Sequence, residues 1–296
     1  MSLTVGTRGS KLALAQTATV CRRLAALGID AEQEIITTHG DTDTTVPLHA
    51  IGRQGVFVRA LDDAILDGRI DCAVHSMKDI PAVRPSGLIT AAVLERDSPA
   101  DFLAYQTSRP AVRTVGTSST RRRAQLLRHD PGLTVTDLRG NVDTRIRKMN
   151  EGYYDAILLA EAGLTRLGIE IKGERLPTDT FVPSPNQGTI AVVSSTDPSQ
   201  IEVLSALDHP QTRTDVAIER AVMEQVGAGC YTPMGIYCRA GHLTAEILSL
   251  DGARGERIET DVATIEEARR QGKALHTRAH HLIREAYTSL GINYER

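Results

Sequence analysis

The chain carries the same succession of patterns twice: strand, helix, strand, helix, strand. The first copy predicts strands at 3–7, 34–38 and 71–75. The helix after the first strand is predicted to end at Gly28, and the helix after the second strand, at 57–65, is predicted to end at Gly68. Strands that alternate with helices in this way predict parallel sheets with helices on their faces.

The second copy spans residues 112 to 160. Its predicted elements are strands at 112–117, 133–138 and 155–160 and helices at 119–129 and 141–151. After about residue 212 the pattern changes to a helix that ends near Val226, three consecutive strands (235–240, 243–250 and 256–263) and a long helix at 264–290. Consecutive strands predict a small α+β domain. The expected fold class is therefore α/β, with two lobes and a C-terminal α+β domain.

Two stretches predict where these domains meet, namely 94–101 and the proline-rich 181–188. A length of 296 residues suits two or three domains. The expected limits are 1–95 with a returning segment at about 188–208 for lobe 1, 96–187 for lobe 2, and 209–296 for the α+β domain.

Composition excludes several classes of protein. The 34 basic and 37 acidic residues give a net charge of −3, which excludes a generally basic protein that coats nucleic acid. Aromatic residues make up 3% of the chain and Trp is absent, which argues against a stacking platform for single strands. No apolar run approaches the roughly 20 residues that span a bilayer. The first ten residues, MSLTVGTRGS, lack the pattern of a secretory signal. We therefore expect a cytoplasmic protein, without nucleic-acid or membrane partners, that acts as a monomer.

The positive charge is concentrated in one stretch. Residues 121–148 carry eight basic side chains against three aspartates, a net charge of +5, which leaves −8 on the rest of the chain. Seven of those eight are arginines, whose planar forks suit carboxylate or phosphate groups. The alternative is a solvated helix face.

The placement of polar residues favours a binding site. Ligands of open parallel sheets bind beyond the carboxyl ends of the strands. The residues that follow the predicted strands are Arg8, Ser10, Ser76, Lys78, Asp79, Thr117, Ser118, Ser119, Arg121, Arg122, Arg139, Asn141 and Arg145. Hydroxyl groups and helix N-termini bind anions, and guanidinium forks add bidentate contacts. The sequence therefore predicts a cleft that holds a polyanion.

Two residues point to a reaction rather than to binding alone. A carboxylate at Asp79 would not help to bind an anion, but it would stabilise positive charge that develops during a reaction. The alternative for Asp79 is a salt bridge with Lys78 or a neighbouring arginine. Cys230 lies among small residues in GAGCYTPMG, where a thiol is accessible for covalent chemistry.

The remaining candidates favour structural roles. Cys21, Cys72 and Cys238 are expected in the core, and without a CxxC spacing all four cysteines are expected as free thiols. His276 and His280 have the spacing of two zinc ligands but lack the glutamate of HExxH, and Asp41 and Asp43 suit a polar loop. No metal is expected.

Seven strings, in order and from about residue 3 to at least 240, resemble the porphobilinogen deaminase (hydroxymethylbilane synthase) family. They are VGTRGSKLAL, GVFVRALDDAILDGRIDCAVHSMKDIP, VGTSSTRRRAQL, LRGNVDTRIRKM, YDAILLAEAGLTRLG, PSPNQG and GAGCYTPMG. The resemblance implies two lobes like type II periplasmic binding proteins and a small α+β domain. It implies an enzyme that joins four porphobilinogen molecules with loss of ammonia and releases hydroxymethylbilane by hydrolysis.

The resemblance also implies roles for residues. Cys230 would hold a dipyrromethane cofactor through a thioether, and Asp79 would be the catalytic aspartate. Together with the strand-end pattern, it assigns further cofactor contacts to Lys78, Ser118, Ser119, Arg121, Arg122, Arg139, Asn141 and Arg145. The substrate contacts are assigned to Arg8, Ser10, Thr117, Arg139, Arg145, Arg166 and Gln187.

The chain departs from the family in places. Ala50 and Gln54 stand where two loop lysines are usual, and His49 or Arg53 could substitute for them. The last 50 residues match only loosely. A different class of function, a two-lobed solute-binding or ligand-sensing module for a small polyanion, would explain the strand-end donors but neither Asp79 nor Cys230.

Overall fold

The structure is a computed structural model, and it describes residues 2–37, 56–81, 84–229, 231–292 and 294. Cys230, the loop positions Ala50 and Gln54 with their neighbours His49 and Arg53, and the candidate pair Asp41 and Asp43 all lie outside these ranges.

In these ranges the strands are β1 (Ser2–Thr7), β2 (Asp30–Ile35), β3 (Cys72–Ser76), β4 (Leu88–Val93), β5 (Asp101–Tyr105), β6 (Thr114–Gly116), β7 (Thr134–Thr136), β8 (Ala156–Ala160), β9 (Gly173–Arg175), β10 (Ile190–Ser195), β11 (Met234–Arg239), β12 (His242–Leu248) and β13 (Gly255–Asp261). The helices are α1 (Lys11–Ala26), α2 (Val56–Leu66), α3 (Thr120–His129), α4 (Val142–Asn150), α5 (Glu161–Leu167), α6 (Pro198–Ser205), α7 (Pro210–Val226) and α8 (Ile265–Ser289).

The chain divides into two compact units. The first comprises Met1–Asp97, Arg166–Gly168 and Gly188–Arg213, and the second comprises Ser98–Thr165, Ile169–Gln187 and Thr214–Arg296. The expected division into three domains stays a prediction, because the second unit contains both the second α/β sheet and the C-terminal sheet. Gly252 illustrates the packing between those two parts: a Cβ there would lie 2.1 Å from the carbonyl oxygen of Ala124 in α3.

The first unit is built on a five-stranded sheet with the order β2-β1-β3-β10-β4. β1 pairs with β2 and β3 in parallel, whereas β10 is antiparallel to both β3 and β4. The core lies between this sheet and helices α1 and α6, where Leu3, Val5, Val20, Leu24 and Leu204 are almost fully buried. The parallel order of β1 and β3 brings their carboxyl ends to one edge of the sheet.

The second unit repeats that plan in the order β7-β6-β8-β5-β9. β6 is parallel to β7 and β8, and β5 is antiparallel to β8 and β9. Two apolar clusters bury this sheet, one containing Leu103 and Val115 and the other containing Leu138 and Ile157. The expectation of parallel sheets was therefore wrong for one interior strand of each sheet, since β10 and β5 run against their neighbours.

The C-terminal part of the second unit is an antiparallel sheet, β11-β12-β13, covered by α7 and α8. α8 begins with a capping box, in which Thr264 and Glu267 satisfy each other's backbone N–H groups. This part agrees with the expected α+β pattern. Within the described ranges, none of the helices combines the length and apolar character needed to cross a bilayer.

Candidate functional site

A cleft opens in the first unit where β1 and β3 end. Its cavity volume is about 70 Å³, and its polar lining consists of Arg8, Ser10, Gln16, His75, Ser76 and Asp79. Arg8, Ser10, Ser76 and Asp79 were predicted from the sequence, and the structure places all four around this one cleft. Their common position follows from the parallel pairing of β1 with β3.

The N-terminus of α1 faces this cleft. Ser10 is the N-cap of α1, and its hydroxyl accepts a hydrogen bond from the Ala13 N–H at 3.3 Å. The first turn of a helix carries a partial positive charge, and α1 has no acidic residue there to offset it. A hydroxyl, an arginine and a helix N-terminus together favour an anionic group at this place.

Gln16 belongs to the same lining, and sequence reasoning missed it. Its Nε2 donates to the Ser76 hydroxyl at 2.7 Å, which ties α1 to the end of β3. Gln16 is only 3% exposed, although it is polar. The sequence carries no signal for it, because polar Thr17 is buried on the same helix and the burial of Gln16 depends on how α1 packs over the strand ends.

Asp79 lies on a short turn that the core holds in place. Met77, Lys78 and Asp79 form a single 3-10 turn, in which Met77 is buried and its N–H donates to the carbonyl oxygen of Thr189 at 2.9 Å. Lys78 and Asp79 are exposed. Within the ranges that the structure covers, the Asp79 carboxylate makes no ion pair or hydrogen bond. The alternative of a salt bridge with Lys78 or a neighbouring arginine therefore finds no support here.

His75 forms the buried wall of the cleft beside Asp79. Burial disfavours its charged form, and the nearby cations Arg84 and Arg8 lower its pKa further, to about 3. The ring is therefore neutral at physiological pH. Its Nε2 is buried and has no hydrogen-bond partner among the described residues. His75 was not among the site residues predicted from the sequence.

In the second unit, the hydroxyl residues after β6 are fixed by hydrogen bonds within the unit. Thr117 is buried, and its hydroxyl accepts from the Ser119 N–H at 3.2 Å. The Ser118 hydroxyl donates to the Leu138 carbonyl oxygen at 2.9 Å. Ser119 is the N-cap of α3 and accepts from the Arg122 N–H at 3.4 Å. The three predicted hydroxyls thus surround the N-terminus of one helix.

Arg121 and Arg122 point into the protein rather than toward solvent. Both are bound to the buried carboxylate of Asp101: Arg121 NH1 at 2.7 Å from one oxygen, and Arg122 Nε and NH2 at 2.9 and 2.6 Å from the other. The predicted site residue Gln187 joins the group, since its Nε2 lies 3.1 Å from Asp101 Oδ1. These three were predicted as ligands of a bound anion; the structure gives them an internal carboxylate, and their contact with an external anion stays a prediction.

The pKa of Asp101 depends on the two arginines that bind it. Burial alone would raise the pKa of Asp101, but the adjacent Arg121 and Arg122 outweigh it and hold the pKa of that carboxyl well below its usual range. In the sequence, Asp101 is the last residue of the predicted boundary segment 94–101. Nothing local marks it as the partner of two arginines about twenty residues later.

Arg145 differs from these arginines. It lies in the first turns of α4, and its Nε donates to the Gly140 carbonyl oxygen at 2.7 Å. Burial and the charge of Arg122 lower its pKa to about 10, which leaves it protonated at neutral pH. In the described part of the chain no carboxylate pairs with it. Asn141, the N-cap of α4, has no capping hydrogen bond from its side chain, and Arg139 precedes it.

Arg166 lies in the first unit, although it was predicted within lobe 2. Its Nε is 2.7 Å from Asp97 Oδ2, and its NH2 is 2.5 Å from the Gly188 carbonyl oxygen. Burial lowers the pKa of its guanidinium, and Asp97 partly opposes that shift. Its role toward a substrate therefore stays a prediction.

The described cysteines have the expected structural roles. Cys72 and Cys238 are buried, Cys21 is partly buried, and all three are free thiols. Burial raises the pKa of Cys238 to about 12, so that its thiol stays protonated. No group of His, Cys, Asp or Glu within the described ranges could hold a metal ion.

The donors around α4 fit a ligand with several carboxylates. A partly buried guanidinium that meets no carboxylate within its own unit is costly unless an external anion pairs with it. Arg145 meets that description, and the N-termini of α3 and α4 lie close to it in the sequence.

Comparisons with known proteins agree with these observations. Residues 3–203 match the family model described as porphobilinogen deaminase, dipyromethane cofactor binding domain, and residues 214–280 match that of the porphobilinogen deaminase C-terminal domain. A probable porphobilinogen deaminase of Methanosarcina acetivorans is 50% identical over 92% of this chain and 90% of its own. The porphobilinogen deaminase of Rubrobacter xylanophilus is 44% identical over 87% of this chain and 90% of its own.

Solved structures give a weaker likeness. A periplasmic substrate-binding protein of an ABC transporter from Coxiella burnetii aligns with a TM-score of 0.41 and 14% identity, over 74% of this chain and 96% of that one. The sheet orders above and the family models carry the fold assignment, and the expected fold class is confirmed.

Proposed function

The chain belongs to the porphobilinogen deaminase family, and from that premise we propose how its residues perform the reaction. It is a transferase of tetrapyrrole biosynthesis that joins four porphobilinogen molecules with loss of ammonia, uses a dipyrromethane cofactor and releases hydroxymethylbilane by hydrolysis. The proposal assigns the covalent attachment of the cofactor to Cys230, through a thioether, and the catalytic carboxylate to Asp79.

The state of Arg145 is the observation that carries the proposal. Each pyrrole unit bears an acetate and a propionate, so a bound oligopyrrole is a polyanion. Arg145 is a partly buried cation without a carboxylate partner among the described residues, at the N-terminal end of α4. An acid side arm there would supply the missing negative charge. Arg139, Ser118 and Ser119 are proposed to hold the cofactor together with Arg145.

Asp79 is proposed to stabilise positive charge, whereas the arginines are proposed to bind negative charge. It is an exposed carboxylate on a rigid turn, and it lines a cleft together with Arg8 and the helix N-terminus at Ser10. We propose that it accepts hydrogen bonds from pyrrole N–H groups and stabilises the positive charge that develops when ammonia leaves. A preorganised group of this kind contributes about 10²–10³-fold in rate.

The cofactor supplies the pyrrole carbon to which the first substrate molecule is joined. The protein supplies position and charge: Arg8 and Ser10 are proposed to bind the acid groups of the incoming porphobilinogen, and Arg139 and Arg145 are proposed to bind those of the bound chain. When the protein holds the two reacting carbon atoms next to each other, their reaction becomes intramolecular and no longer depends on a collision in solution. The neutral ring of His75 adds no second positive charge beside Arg8.

A solute-binding or ligand-sensing module is the second candidate, and no observation favours it. Such a module would use the same hydrogen-bond donors to bind an anion. It would not explain Asp79, because an exposed carboxylate in an anion-binding cleft weakens the binding of the anion. We also propose that the enzyme works as a cytoplasmic monomer, without nucleic-acid or membrane partners. Light scattering after gel filtration tests the oligomeric state.

Intact-protein mass tests the proposed function. Protein produced in a host that makes porphobilinogen should be heavier than the bare polypeptide by two porphobilinogen units less two molecules of ammonia, and it should give a colour with Ehrlich's reagent. Cys230→Ser should have only the mass of the polypeptide. Cys238→Ser is the matched control, because that buried thiol is proposed to carry nothing. Cofactor on Cys230→Ser, or none on the parent protein, would refute the assignment.

A further inference from the structure

The C-terminal helix α8 contacts Gly229 and Tyr231, the sequence neighbours of Cys230, and it contains none of the residues proposed to bind substrate or cofactor. We propose that Tyr287 and His276 of α8 are positioning residues, which hold the backbone on either side of Cys230 so that its thiol can receive the cofactor. The inference rests on the proposed function, because it takes Cys230 as the attachment point. Cys230 is outside the described residues, but its sequence neighbours Gly229 and Tyr231 are described.

The loop begins where α7 ends. Gly227 has a φ of +62°, a conformation that favours glycine, so the chain turns sharply away from the helix there. Immediately before the turn, His276 Nδ1 lies 2.8 Å from the carbonyl oxygen of Val226. A carbonyl oxygen only accepts, so Nδ1 carries the proton and donates. This bond occupies a carbonyl group at the end of α7 and fixes the start of the loop against α8.

The residue before Cys230 is bound to the same helix. The Gly229 N–H donates to the hydroxyl oxygen of Tyr287 at 2.9 Å. The Gly229 carbonyl oxygen accepts from the Thr232 N–H at 3.2 Å. Both polar groups of the Gly229 backbone therefore have partners, and one of the two is supplied by α8.

The residue after Cys230 contacts the same tyrosine. The rings of Tyr231 and Tyr287 meet edge to face with their centroids 5.6 Å apart. On its other side Tyr287 packs against Tyr294, with 4.9 Å between centroids. Tyr287 is 9% exposed, so these contacts hold it in one place. A single side chain thus contacts both sequence neighbours of Cys230.

Packing between α7 and α8 makes this arrangement rigid. A Cβ at Gly272 of α8 would lie 2.7 Å from the Val222 carbonyl oxygen of α7, so the two helices touch backbone to backbone. Tyr287 and His276 are consequently held at fixed distances from the end of α7. Attachment of the cofactor requires the thiol to meet a reactive carbon in a defined geometry, and a fixed backbone raises the fraction of chains that present it.

The test separates the Tyr287 hydroxyl from the Tyr287 ring. Tyr287→Phe removes the acceptor of the Gly229 N–H and keeps the ring packing. Tyr294→Phe is the matched control: its hydroxyl is buried in the same aromatic cluster, but in the described part of the chain it has no hydrogen-bond partner. Each variant is prepared as full-length protein without cofactor, from a host that makes no porphobilinogen. Porphobilinogen is then added, and covalent loading is followed by intact mass.

We expect Tyr287→Phe to load roughly two- to tenfold more slowly than the parent, the effect of one lost hydrogen bond. Hydrogen exchange of the peptide that covers residues 227–233 should be faster in this variant. Tyr294→Phe should change neither. His276→Gln offers a second variant with an independent contact, and it should also slow loading.

Three results would overturn the inference: loading of Tyr287→Phe at the parental rate, equal slowing in Tyr287→Phe and Tyr294→Phe, or slow loading with unchanged exchange in residues 227–233. Failure of the proposed function looks different. In that case the parent chain itself acquires no mass from porphobilinogen, whereas failure of this inference alone leaves the parent loading normally.

Discussion

At the scale of single residues, the same charged side-chain types have two different environments. Arg121 and Arg122 share the buried carboxylate of Asp101, whereas Arg145 and Asp79 form no ion pair with another described residue. A charge that is already paired contributes mainly to the fold, and a charge that is not paired is available to a ligand or to a reaction. The predicted site residues therefore fall into two groups, those with a paired charge and those with an unpaired charge. The sequence alone does not show to which group a residue belongs.

Replacement of Asp79 by Asn should abolish most of the activity without unfolding the protein. The amide keeps the shape of the side chain but cannot offer a full negative charge to a developing cation. We expect the protein to carry its cofactor and to turn over about 10²–10³-fold more slowly. Intact mass and the initial rate of porphobilinogen consumption measure the two effects.

Asp67→Asn is the control for Asp79→Asn. Asp67 is an exposed aspartate of the same unit, 3.7 Å from Arg69 and well outside the cleft lining. Its turnover should equal that of the parent chain. Normal turnover in Asp79→Asn would contradict a role for that carboxylate in the reaction.

Replacement of Arg145 by Ala should weaken the binding of acid side arms. A hydrogen bond to a charged group contributes about 1.5–3 kcal/mol, so the loss corresponds to roughly a 10- to 100-fold effect on kcat/KM. Arg147→Ala is the matched control on the same helix, because Arg147 is exposed and pairs with Glu151 at 2.8 Å. Steady-state kinetics of both variants decide the matter: equal effects in the two would show that Arg145 has no special role.

At the scale of elements, Asp101 links β5, α3 and the segment that leads to β10. It begins β5, binds the two arginines of α3 and accepts from Gln187 in the segment that leads to β10. Asp101→Asn would leave two buried guanidinium groups without their carboxylate. We expect the free energy of unfolding to fall by about 3–5 kcal/mol, as measured by urea denaturation. Asp137→Asn, an exposed aspartate of the same unit, should leave it unchanged.

The pH dependence of stability gives an independent check on Asp101. Its pKa is lower in the folded chain than in the unfolded chain, so the ion pair contributes its full stability above the unfolded pKa of about 4. That contribution is lost as the pH falls from about 4 toward the folded pKa. The slope of unfolding free energy against pH below 4 should therefore be smaller in Asp101→Asn. An unchanged slope would contradict the depressed pKa.

Some helices and strands could be predicted from the sequence, and others could not. Helices with one apolar face and a glycine stop, such as α1 and α2, were found within a few residues of their predicted limits. β2 was placed at 34–38 but forms at Asp30–Ile35, because an edge strand with an exposed, polar sequence has no apolar signal to mark it. β4, β5, β9 and β10 were missed, since a strand that pairs with chain segments far away in sequence is fixed by those partners.

The same limit applies to the site. Arg8, Ser10 and Asp79 could be predicted because they directly follow strands whose ends coincide in a parallel pair. Gln16 and His75 could not, since their position depends on how a helix packs over the strand ends. The link from Tyr287 to Gly229 joins residues 58 apart in the chain, and it appears only in three dimensions.

At the scale of the whole molecule, the distribution of charge decides how a polyanion can be attracted. The chain as a whole carries −3, so its net field repels an anionic substrate, while the stretch 121–148 carries +5. Attraction must therefore come from charges within a few ångströms of the bound acid groups. The Debye length falls from about 10 Å at 0.1 M salt to about 3 Å at 1 M salt. At 1 M salt, the attraction between charged groups in direct contact is screened only partly. The weak repulsion between the substrate and the distant negative charges of the chain is screened almost completely.

This balance predicts the response of the enzyme to salt. KM for porphobilinogen should rise several-fold between 0.1 and 1 M potassium chloride, while kcat stays nearly constant, because salt competes for the arginine contacts and does not reach the reacting atoms. In Arg145→Ala the rise should be smaller, since one of the screened contacts is already gone, and Arg147→Ala should behave like the parent. A KM that falls with salt would mean that net repulsion dominates, and the guanidinium groups would then not be the main ligands of the acid side arms.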